Sequence, residues 1–222
     1  MENKKIKGCI FDLDGTLLDT IKDIADSMNT VLKEKGYKTH TVEEYKTFVG
    51  SGTSTLISRS MGQDVSETEQ KIILDNYSKI YNNNVLLKTC PYEGNKELLK
   101  NLSNKGIKLA VLSNKPDILT RYLIENCFTD INFTVVRGQL PNVPIKPDPK
   151  AALKIAELMS LASDEIAFIG DSPEDFETGK RAGMFSINVL WGYRTKEQLI
   201  FAGAERFCET PEEVLRILLN YI

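Results

Sequence analysis

Short apolar runs alternate with longer amphipathic segments along most of this chain. The runs have the length and composition of buried strands, and they lie at 6–11, 107–112, 133–136, 166–169 and 185–190. The amphipathic segments repeat apolar residues at helical spacing, at 95–104, 116–126, 149–159, 174–182 and 211–219. This alternation predicts βαβ units, and therefore an α/β fold with a mostly parallel, doubly wound sheet.

One region breaks the alternation. Residues 17–87 contain no run that resembles a strand, but apolar residues recur every three to four positions within 21–32 and 72–81. A shorter helical segment lies at 42–49. We therefore expect an all-helical insert at 17–87 and a discontinuous α/β core made of 1–16 and 88–222.

Composition narrows the possible partners. With 222 residues, 41% of them hydrophobic, the chain can bury a full core. Its net charge of −3 and its pI near 5.4 come without a basic run, which argues against a nucleic acid or an anionic membrane as partner. No apolar stretch has the length of a signal peptide or a membrane span, so we expect a cytoplasmic protein.

Cysteine and histidine form no recognisable metal or disulfide pattern. The four cysteines are far apart and His40 is the single histidine of the chain, which disfavours a disulfide framework and a zinc site. We expect Cys9 to be a small buried residue of the first strand. His40 lies among polar residues and is expected in a solvated loop.

Two aspartates follow the first apolar run directly. Asp12 could attack phosphorus as a nucleophile, and Asp14, two residues later, could carry the proton that the leaving oxygen needs. Gly15 allows a sharp turn of the backbone beside a ligand. The alternative is an acidic turn that caps a helix, and the other strand ends decide between the two.

Polar residues at two further positions suit a phosphate group. Ser113 and Asn114 follow the run at 107–112 and offer a hydroxyl and an amide to phosphate oxygens, although they could equally be a plain helix cap. Lys146 lies in a segment with prolines on both sides, just before a predicted helix. The stiff backbone there predicts that its charge is held in position rather than solvated.

Another pair of aspartates follows the run at 166–169. Asp171, together with Asp12 and the backbone carbonyl of Asp14, would form the set of hard oxygen ligands that Mg²⁺ prefers. Asp175 is expected to orient this site without binding the ion. Alternatively, Asp171 is only the N-cap of the following helix. A divalent cation would offset the repulsion between these carboxylates and a phosphate.

Four segments together resemble the motifs of the haloacid dehalogenase superfamily, and they occur in the same order. They are Phe-Asp-Leu-Asp-Gly-Thr-Leu at 11–17, Ser-Asn-Lys at 113–115, Lys-Pro at 146–147 and Gly-Asp-Ser-x-x-Asp at 170–175. Residues 181–184 and 191–193 are similar to the phosphoglycolate phosphatase-like branch. Gly179 departs from the alanine expected between the last motif and 181–184.

This resemblance implies a Rossmann-like core with a small helical cap inserted after the first motif. In the family, the residue at Asp12 is the nucleophile, that at Asp14 the acid and base, those at Ser113 and Lys146 bind the phosphoryl group, and that at Asp171 is a direct Mg²⁺ ligand. The segment around Gly50, Ser51 and Gly52 resembles the loop of the cap that faces the leaving group, although an ordinary turn between helices would explain it equally well.

The implied function is a Mg²⁺-dependent phosphatase that acts on a small phosphorylated metabolite, such as phosphoglycolate, through an aspartyl-phosphate. The alternatives are a sugar phosphomutase similar to β-phosphoglucomutase, a pyrophosphatase, and a non-catalytic protein that binds a phosphorylated metabolite. A phosphonatase would need a lysine from the cap, for which Lys22, Lys33 and Lys35 are candidates. We expect a monomer or a weak homodimer.

Overall fold

The computed structural model describes residues 5–62 and 65–222 and has an α/β architecture. A six-stranded parallel sheet with the order β5-β4-β1-β6-β7-β8 lies at its centre, and β2 and β3 form a separate antiparallel pair. The strands are β1 (Gly8–Phe11), β2 (Leu18–Asp19), β3 (Cys90–Pro91), β4 (Lys108–Pro116), β5 (Val135–Gln139), β6 (Ile166–Gly170), β7 (Phe185–Val189) and β8 (Phe207–Cys208). The predicted fold class is therefore confirmed.

The helices occupy the insert and both faces of the sheet. Four of them follow one another between β2 and β3, and the others connect or follow the strands of the large sheet. They are α1 (Ile21–Glu34), α2 (Val42–Phe48), α3 (Thr53–Met61), α4 (Glu67–Asn84), α5 (Asn95–Asn104), α6 (Asp117–Cys127), α7 (Lys150–Met159), α8 (Pro173–Arg181), α9 (Lys196–Phe201) and α10 (Pro211–Leu219). None of the helices in the described part of the chain combines the length and hydrophobicity needed to span a bilayer.

Successive residues of the central strands pack on opposite faces of the sheet. Phe11 and Val111 belong to one apolar cluster, which also includes residues of α5, α6 and α10. Ile10 and Ala110 belong to another, which includes residues of α7. A strand that is covered on both faces must be apolar throughout, which is why these strands appear in the sequence as continuous runs. Cys9 is fully buried, as predicted.

The first of these clusters continues into the insert. Ile24 and Met28 of α1 and Tyr77 of α4 are buried in it together with residues of the sheet. His40 lies in the loop between α1 and α2, as predicted, but its side chain is not solvated. It is 13% exposed, its ring contacts Tyr45 and Phe48 edge-on, and its Nε2 lies 2.8 Å from the carbonyl oxygen of Ser60. Although the neighbours of His40 in the sequence are polar, the fold places its ring against the aromatic rings of Tyr45 and Phe48.

Gly179 is explained by the packing of α8 against the sheet. A Cβ atom at this position would lie 2.4 Å from Ser186 Oγ and 3.0 Å from Phe168 Cβ, which are residues of β7 and β6. An alanine would therefore push the helix away from the strands. The departure from the expected alanine lets α8 approach the sheet closely, and α8 carries Asp175 at its N-terminal end.

Candidate active site

Most of the predicted site residues meet at the carboxyl end of the sheet. Asp12 follows β1, Ser113 and Asn114 belong to the last part of β4, and Asp171 follows β6. Because β1 lies between β4 and β6, these positions are neighbours, as expected for the ligand site of an open parallel sheet. Lys146 reaches them from the loop before α7. All five residues are buried.

A lysine and three carboxylates form the centre of this group. Lys146 Nζ lies 2.6 Å from Asp12 Oδ1 and 2.5 Å from Asp175 Oδ1. Burial, and next the charge of Asp175, raise the pKa of Asp12 well above its ordinary value, whereas Lys146 acts in the opposite direction. Burial alone would lower the pKa of Lys146, but Asp12 and Asp175 raise it, so the ammonium remains charged. Lys146 thus offsets part of a concentrated negative charge.

Asp171 has no such cation beside it. Its oxygens accept hydrogen bonds from Thr16 Oγ1 at 3.0 Å and from the backbone N–H of Tyr193 at 2.8 Å, and within the described residues it forms no ion pair with a lysine or arginine. Burial, followed by the charge of Asp175, raises the pKa of Asp171 to about 7. Gly15 has a φ of +88°, and a Cβ there would lie 2.5 Å from Asp171 Oδ2.

These residues fit a divalent metal ion. Asp12, Asp171 and Asp175 can each present one carboxylate oxygen so that the three oxygens lie within 4.8 Å of one another. These three buried carboxylates surround the ammonium group of Lys146, so their negative charge exceeds its positive charge. Carboxylate oxygen is also the ligand that Mg²⁺ and Ca²⁺ prefer. Asp175 Oδ2 also accepts hydrogen bonds from the N–H and the hydroxyl of Ser172.

Asp171, which lies just before α8, and Asp175, which lies in its first turn, have different contacts. The N-cap of α8 is Ser172, whose capping box is completed by Asp175, so Asp171 is not the helix cap that the sequence left open. Asp175 is held by Ser172 on one oxygen and by Lys146 on the other. This arrangement suits the orienting role expected for Asp175, whereas Asp171 forms no ion pair with a lysine or arginine in the part of the chain that the structure describes.

The carboxylate of Asp14 lies in a different environment from that of Asp12. Thr20 Oγ1 donates a hydrogen bond to Asp14 Oδ1 at 2.6 Å, and Lys115 Nζ lies 3.1 Å from Asp14 Oδ2. Both Asp12 and Asp14 line one cavity of about 200 Å³ between the sheet and the helical insert. A small ligand in this cavity could therefore contact both carboxyl groups at once.

Asn114 is occupied by backbone groups. Its Nδ2 donates to the carbonyl oxygens of Gly50 at 2.8 Å and Lys146 at 3.1 Å, and its Oδ1 accepts from the N–H of Lys146 at 2.9 Å. Any contact between this side chain and a phosphate would require one of these bonds to break. Ser113 has a hydroxyl that also lines the cavity and accepts a hydrogen bond from the N–H of Lys115.

The loop between α2 and α3 connects the insert to the sheet. Gly50 and Gly52 line the cavity, whereas Ser51 points away and donates a hydrogen bond to Glu174 Oε1 at 2.8 Å. Arg194, which follows β7, donates to the carbonyl oxygens of Val49, at 2.5 Å, and of Lys46. The predicted loop therefore faces the cavity through Gly50 and Gly52, and hydrogen bonds of Val49 and Ser51 hold it in place.

Three residues of this region were not predicted as site residues from the sequence: Lys115, Tyr81 and Arg194. Lys115 belongs to the motif at 113–115, which is the one signal that could have identified it. Tyr81 ends the helical pattern at 72–81 and Arg194 follows the segment at 191–193, but neither pattern indicates the polar contacts that these residues make between the insert and the rest of the fold. The three lysines considered for a phosphonatase, Lys22, Lys33 and Lys35, are exposed and do not line the cavity.

Comparison with known proteins identifies the family. Residues 9–189 match the family model of haloacid dehalogenase-like hydrolases. The phosphoglycolate phosphatase of Aquifex aeolicus is 30% identical over 213 residues, which are 96% of this chain and 97% of that protein. The phosphoglycolate phosphatase of Psychrobacter arcticus is 31% identical over 195 residues, with 83% of each chain covered.

A solved structure gives the same result. A candidate phosphoglycolate phosphatase of Lactobacillus delbrueckii subsp. bulgaricus superposes with a TM-score of 0.91 and 31% identity, covering 96% of this chain and 98% of the other. These matches bear out the predicted superfamily and the predicted enzyme class, a phosphoric monoester hydrolase. The chain belongs to the haloacid dehalogenase-like hydrolase family, in the branch that is similar to phosphoglycolate phosphatases.

Proposed function

We propose that this enzyme hydrolyses a small phosphomonoester of the phosphoglycolate type through an aspartyl-phosphate on Asp12. The observation that supports this most strongly is the position of Asp12, which lies at the end of the central strand, bound to Lys146, with Asp14 opening into the same small cavity. The relatives with 30% or more identity are named phosphoglycolate phosphatases. This agreement favours hydrolysis over the phosphomutase and pyrophosphatase alternatives.

Each residue has one task in the first step. Lys146 and the hydroxyl of Ser113 hold the oxygens of the phosphoryl group, and the Asp12 carboxylate attacks phosphorus in line. The bond between phosphorus and the leaving oxygen breaks, and that oxygen takes the proton of the Asp14 carboxyl group. The products of this step are the free alcohol and phosphorylated Asp12.

The second step regenerates the enzyme. Asp14, now a carboxylate, removes a proton from water, and the water oxygen attacks phosphorus. The bond between phosphorus and the Asp12 oxygen breaks, which releases inorganic phosphate and restores the carboxylate. Thr20 and Lys115 keep Asp14 in place through both steps, because they bind its two oxygens separately.

A Mg²⁺ ion would be held by Asp12, Asp171 and, as predicted from the sequence, the backbone carbonyl of Asp14. When bound it supplies positive charge that polarises the phosphoryl oxygens and reduces repulsion from the nearby carboxylates. Asp175 keeps its place beside Lys146 and Ser172. The phosphoryl group is thus bound by Ser113, Lys146 and Asp12, while Asp14 gives a proton to the leaving oxygen and later takes one from water.

The remaining predictions concern the molecule around the site. We propose that residues 17–87 act as a cap over a core formed by 1–16 and 88–222, with Gly50 and Gly52 facing the leaving group. Asn114, with its amide bound to the backbone of Gly50 and Lys146, would contribute to phosphate binding by positioning Lys146. A cytoplasmic location and a monomeric or weakly dimeric state remain predictions from the sequence.

The test is phosphate release from phosphoglycolate. We expect release that depends on Mg²⁺ and stops with a chelator, and we expect Asp12→Asn to lower kcat by roughly 10³-fold or more because the nucleophile is lost. Asp75→Asn removes an exposed carboxylate of α4 and serves as the control, with activity unchanged. Retained activity in Asp12→Asn would remove Asp12 from its role.

Product analysis separates the alternatives. A hydrolase accumulates free phosphate, whereas a phosphomutase produces an isomerised monophosphate and a bisphosphate intermediate. A protein that binds phosphate esters with Mg²⁺ but releases no phosphate from any of them would be a binding protein instead.

A further inference from the structure

The buried Lys115 has no substrate contact in the proposed reaction. Lys115 lies at the end of β4, is 7% exposed and lines the cavity. Its Nζ donates a hydrogen bond to Tyr81 Oη at 2.9 Å and lies 4.9 Å from the centre of the same ring. A buried ammonium group is costly unless anions and hydrogen bonds compensate it, so its position needs a physical reason.

The partners of Lys115 place it on the leaving-group side of the cavity. Its Nζ lies 3.1 Å from the carboxylate of Asp14, which is the group that protonates the leaving oxygen in the proposed mechanism. Lys146, in contrast, lies 2.6 Å from Asp12, which receives the phosphoryl group. Lys115 and Lys146 both line the cavity, but each lies beside a different aspartate of the first motif.

The surroundings of Lys115 favour an anion. Much of the cavity wall contributed by the insert is apolar or aromatic, including Ile24, Leu56 and Tyr77. An ammonium group has three N–H donors, of which Tyr81 takes one and Asp14 lies at ion-pair distance of a second. The described residues offer Nζ no further hydrogen-bond acceptor or carboxylate partner, so the third N–H can meet a ligand. A carboxylate in such a cavity would gain a charge-assisted hydrogen bond, whereas a neutral group would gain much less.

We propose that Lys115, held by Tyr81, is a specificity-determining residue that binds a carboxylate of the leaving group. The substrate class would be phosphomonoesters of small hydroxy acids, in which the carboxylate lies close to the ester oxygen. This inference rests on the proposed function, because it takes Asp12 as the site of phosphoryl transfer and Asp14 as the acid. The cavity of about 200 Å³ has room for the small leaving group of such a compound.

The experiment compares two substrates of nearly equal size, phosphoglycolate and 2-hydroxyethyl phosphate, which carries a hydroxymethyl group in place of the carboxylate. For the unchanged enzyme we expect kcat/KM to be higher for phosphoglycolate by about 10- to 100-fold. Lys115→Met should lower this ratio by a similar factor, since the methionine keeps the length of the side chain without its charge. Lys115→Arg should retain part of the preference.

The ratio distinguishes recognition from a structural role. If Lys115 served only to position Asp14, both substrates would lose activity equally and the ratio would stay unchanged, which would overturn the proposal. Tyr81→Phe keeps the ring but removes the hydroxyl acceptor, and should lower the ratio less than Lys115→Met. Lys79→Met, on the exposed part of α4, is the matched control and should change neither substrate.

Measurements on the unchanged enzyme can overturn the proposal even where a variant does not fold. A preference for 2-hydroxyethyl phosphate, or equal use of both substrates, would overturn the role of Lys115 and leave the phosphatase function intact. No phosphate release from either compound, or from other phosphomonoesters, would instead contradict the proposed function. The two failures are therefore distinguishable.

Discussion

Asp23 shows how much a single buried carboxylate can organise. It lies in α1, is 2% exposed, and accepts hydrogen bonds from the N–H groups of Lys88 and Thr89 and from the hydroxyl of Thr89, at 2.8 to 3.0 Å. Lys88 and Thr89 belong to the segment that returns from the insert to the sheet. Asp23 thus fixes the exit of the insert against its first helix.

We expect Asp23→Asn to lower the free energy of unfolding by about 1–3 kcal/mol, because the new amide places N–H groups where backbone N–H donors already point. Urea denaturation measures the change. Asp26→Asn is the matched control on the same helix: its ion pair with Lys88 Nζ is largely exposed, so its effect should stay below about 0.5 kcal/mol. Equal stability of Asp23→Asn and the unchanged protein would show that these bonds contribute nothing net.

Residues that belong to a motif could be predicted from the sequence, whereas residues whose contacts depend on the insert could not. Asp12 and Asp171 each follow an apolar run, and the parallel sheet brings them together. Lys146 lies in a proline-rich segment before a predicted helix and reaches them from a loop. The sequence places Tyr81 on an apolar helix face and Arg194 after the segment at 191–193, and neither position indicates a polar contact. Their importance comes from distances of 2.5 to 2.9 Å to residues of another part of the fold, which no local spacing encodes.

At the scale of elements, the continuous apolar runs predicted the central strands, and the errors lie at the edges. The run at 133–136 predicted a strand that in the structure is Val135–Gln139, because Phe133 packs against Phe128 before the strand begins. As an edge strand, β5 continues through the polar Arg137. The pair of β2 with β3 was missed, since two-residue strands carry no period to detect.

Arg194 adds polar links to the apolar contact between the insert and the sheet, because it donates hydrogen bonds to the carbonyl oxygens of Lys46 and Val49. We expect Arg194→Met to raise KM for phosphoglycolate by roughly 3- to 10-fold and to speed amide hydrogen exchange in 46–52, because the loop loses its hold on the sheet. Steady-state kinetics and hydrogen exchange measure these effects. An unchanged KM with unchanged exchange would contradict this role.

Arg59→Met provides the matched control for this element. Arg59 also donates to backbone carbonyl groups at the end of α2, those of Thr47 and Phe48, but it belongs to the insert itself. Its loss should affect the local stability of the insert and leave KM nearly unchanged. A difference between the two arginine variants would assign the effect to the contact with the sheet rather than to the end of α2.

The stability of the whole molecule should depend on pH and on Mg²⁺ through the buried carboxylates of Asp12, Asp171 and Asp175. Burial and then Asp175 raise the pKa of Asp171 from 3.8 to about 7, and the pKa of Asp12 is raised as well, chiefly by burial. Between about pH 4 and 7 the folded protein therefore keeps protons that the unfolded chain has released. Without metal, the free energy of unfolding should fall as pH rises through this window.

A divalent cation bound among these carboxylates would offset that loss. We therefore expect millimolar Mg²⁺ to raise Tm by several degrees at pH 8 and by much less at pH 5, where protons already neutralise the cluster. Asp171→Asn should reduce both the Mg²⁺ effect and the slope of stability against pH. Scanning calorimetry at the two pH values tests this, and an equal response of Tm to Mg²⁺ at both would show that the raised pKa of Asp171 is not linked to metal binding.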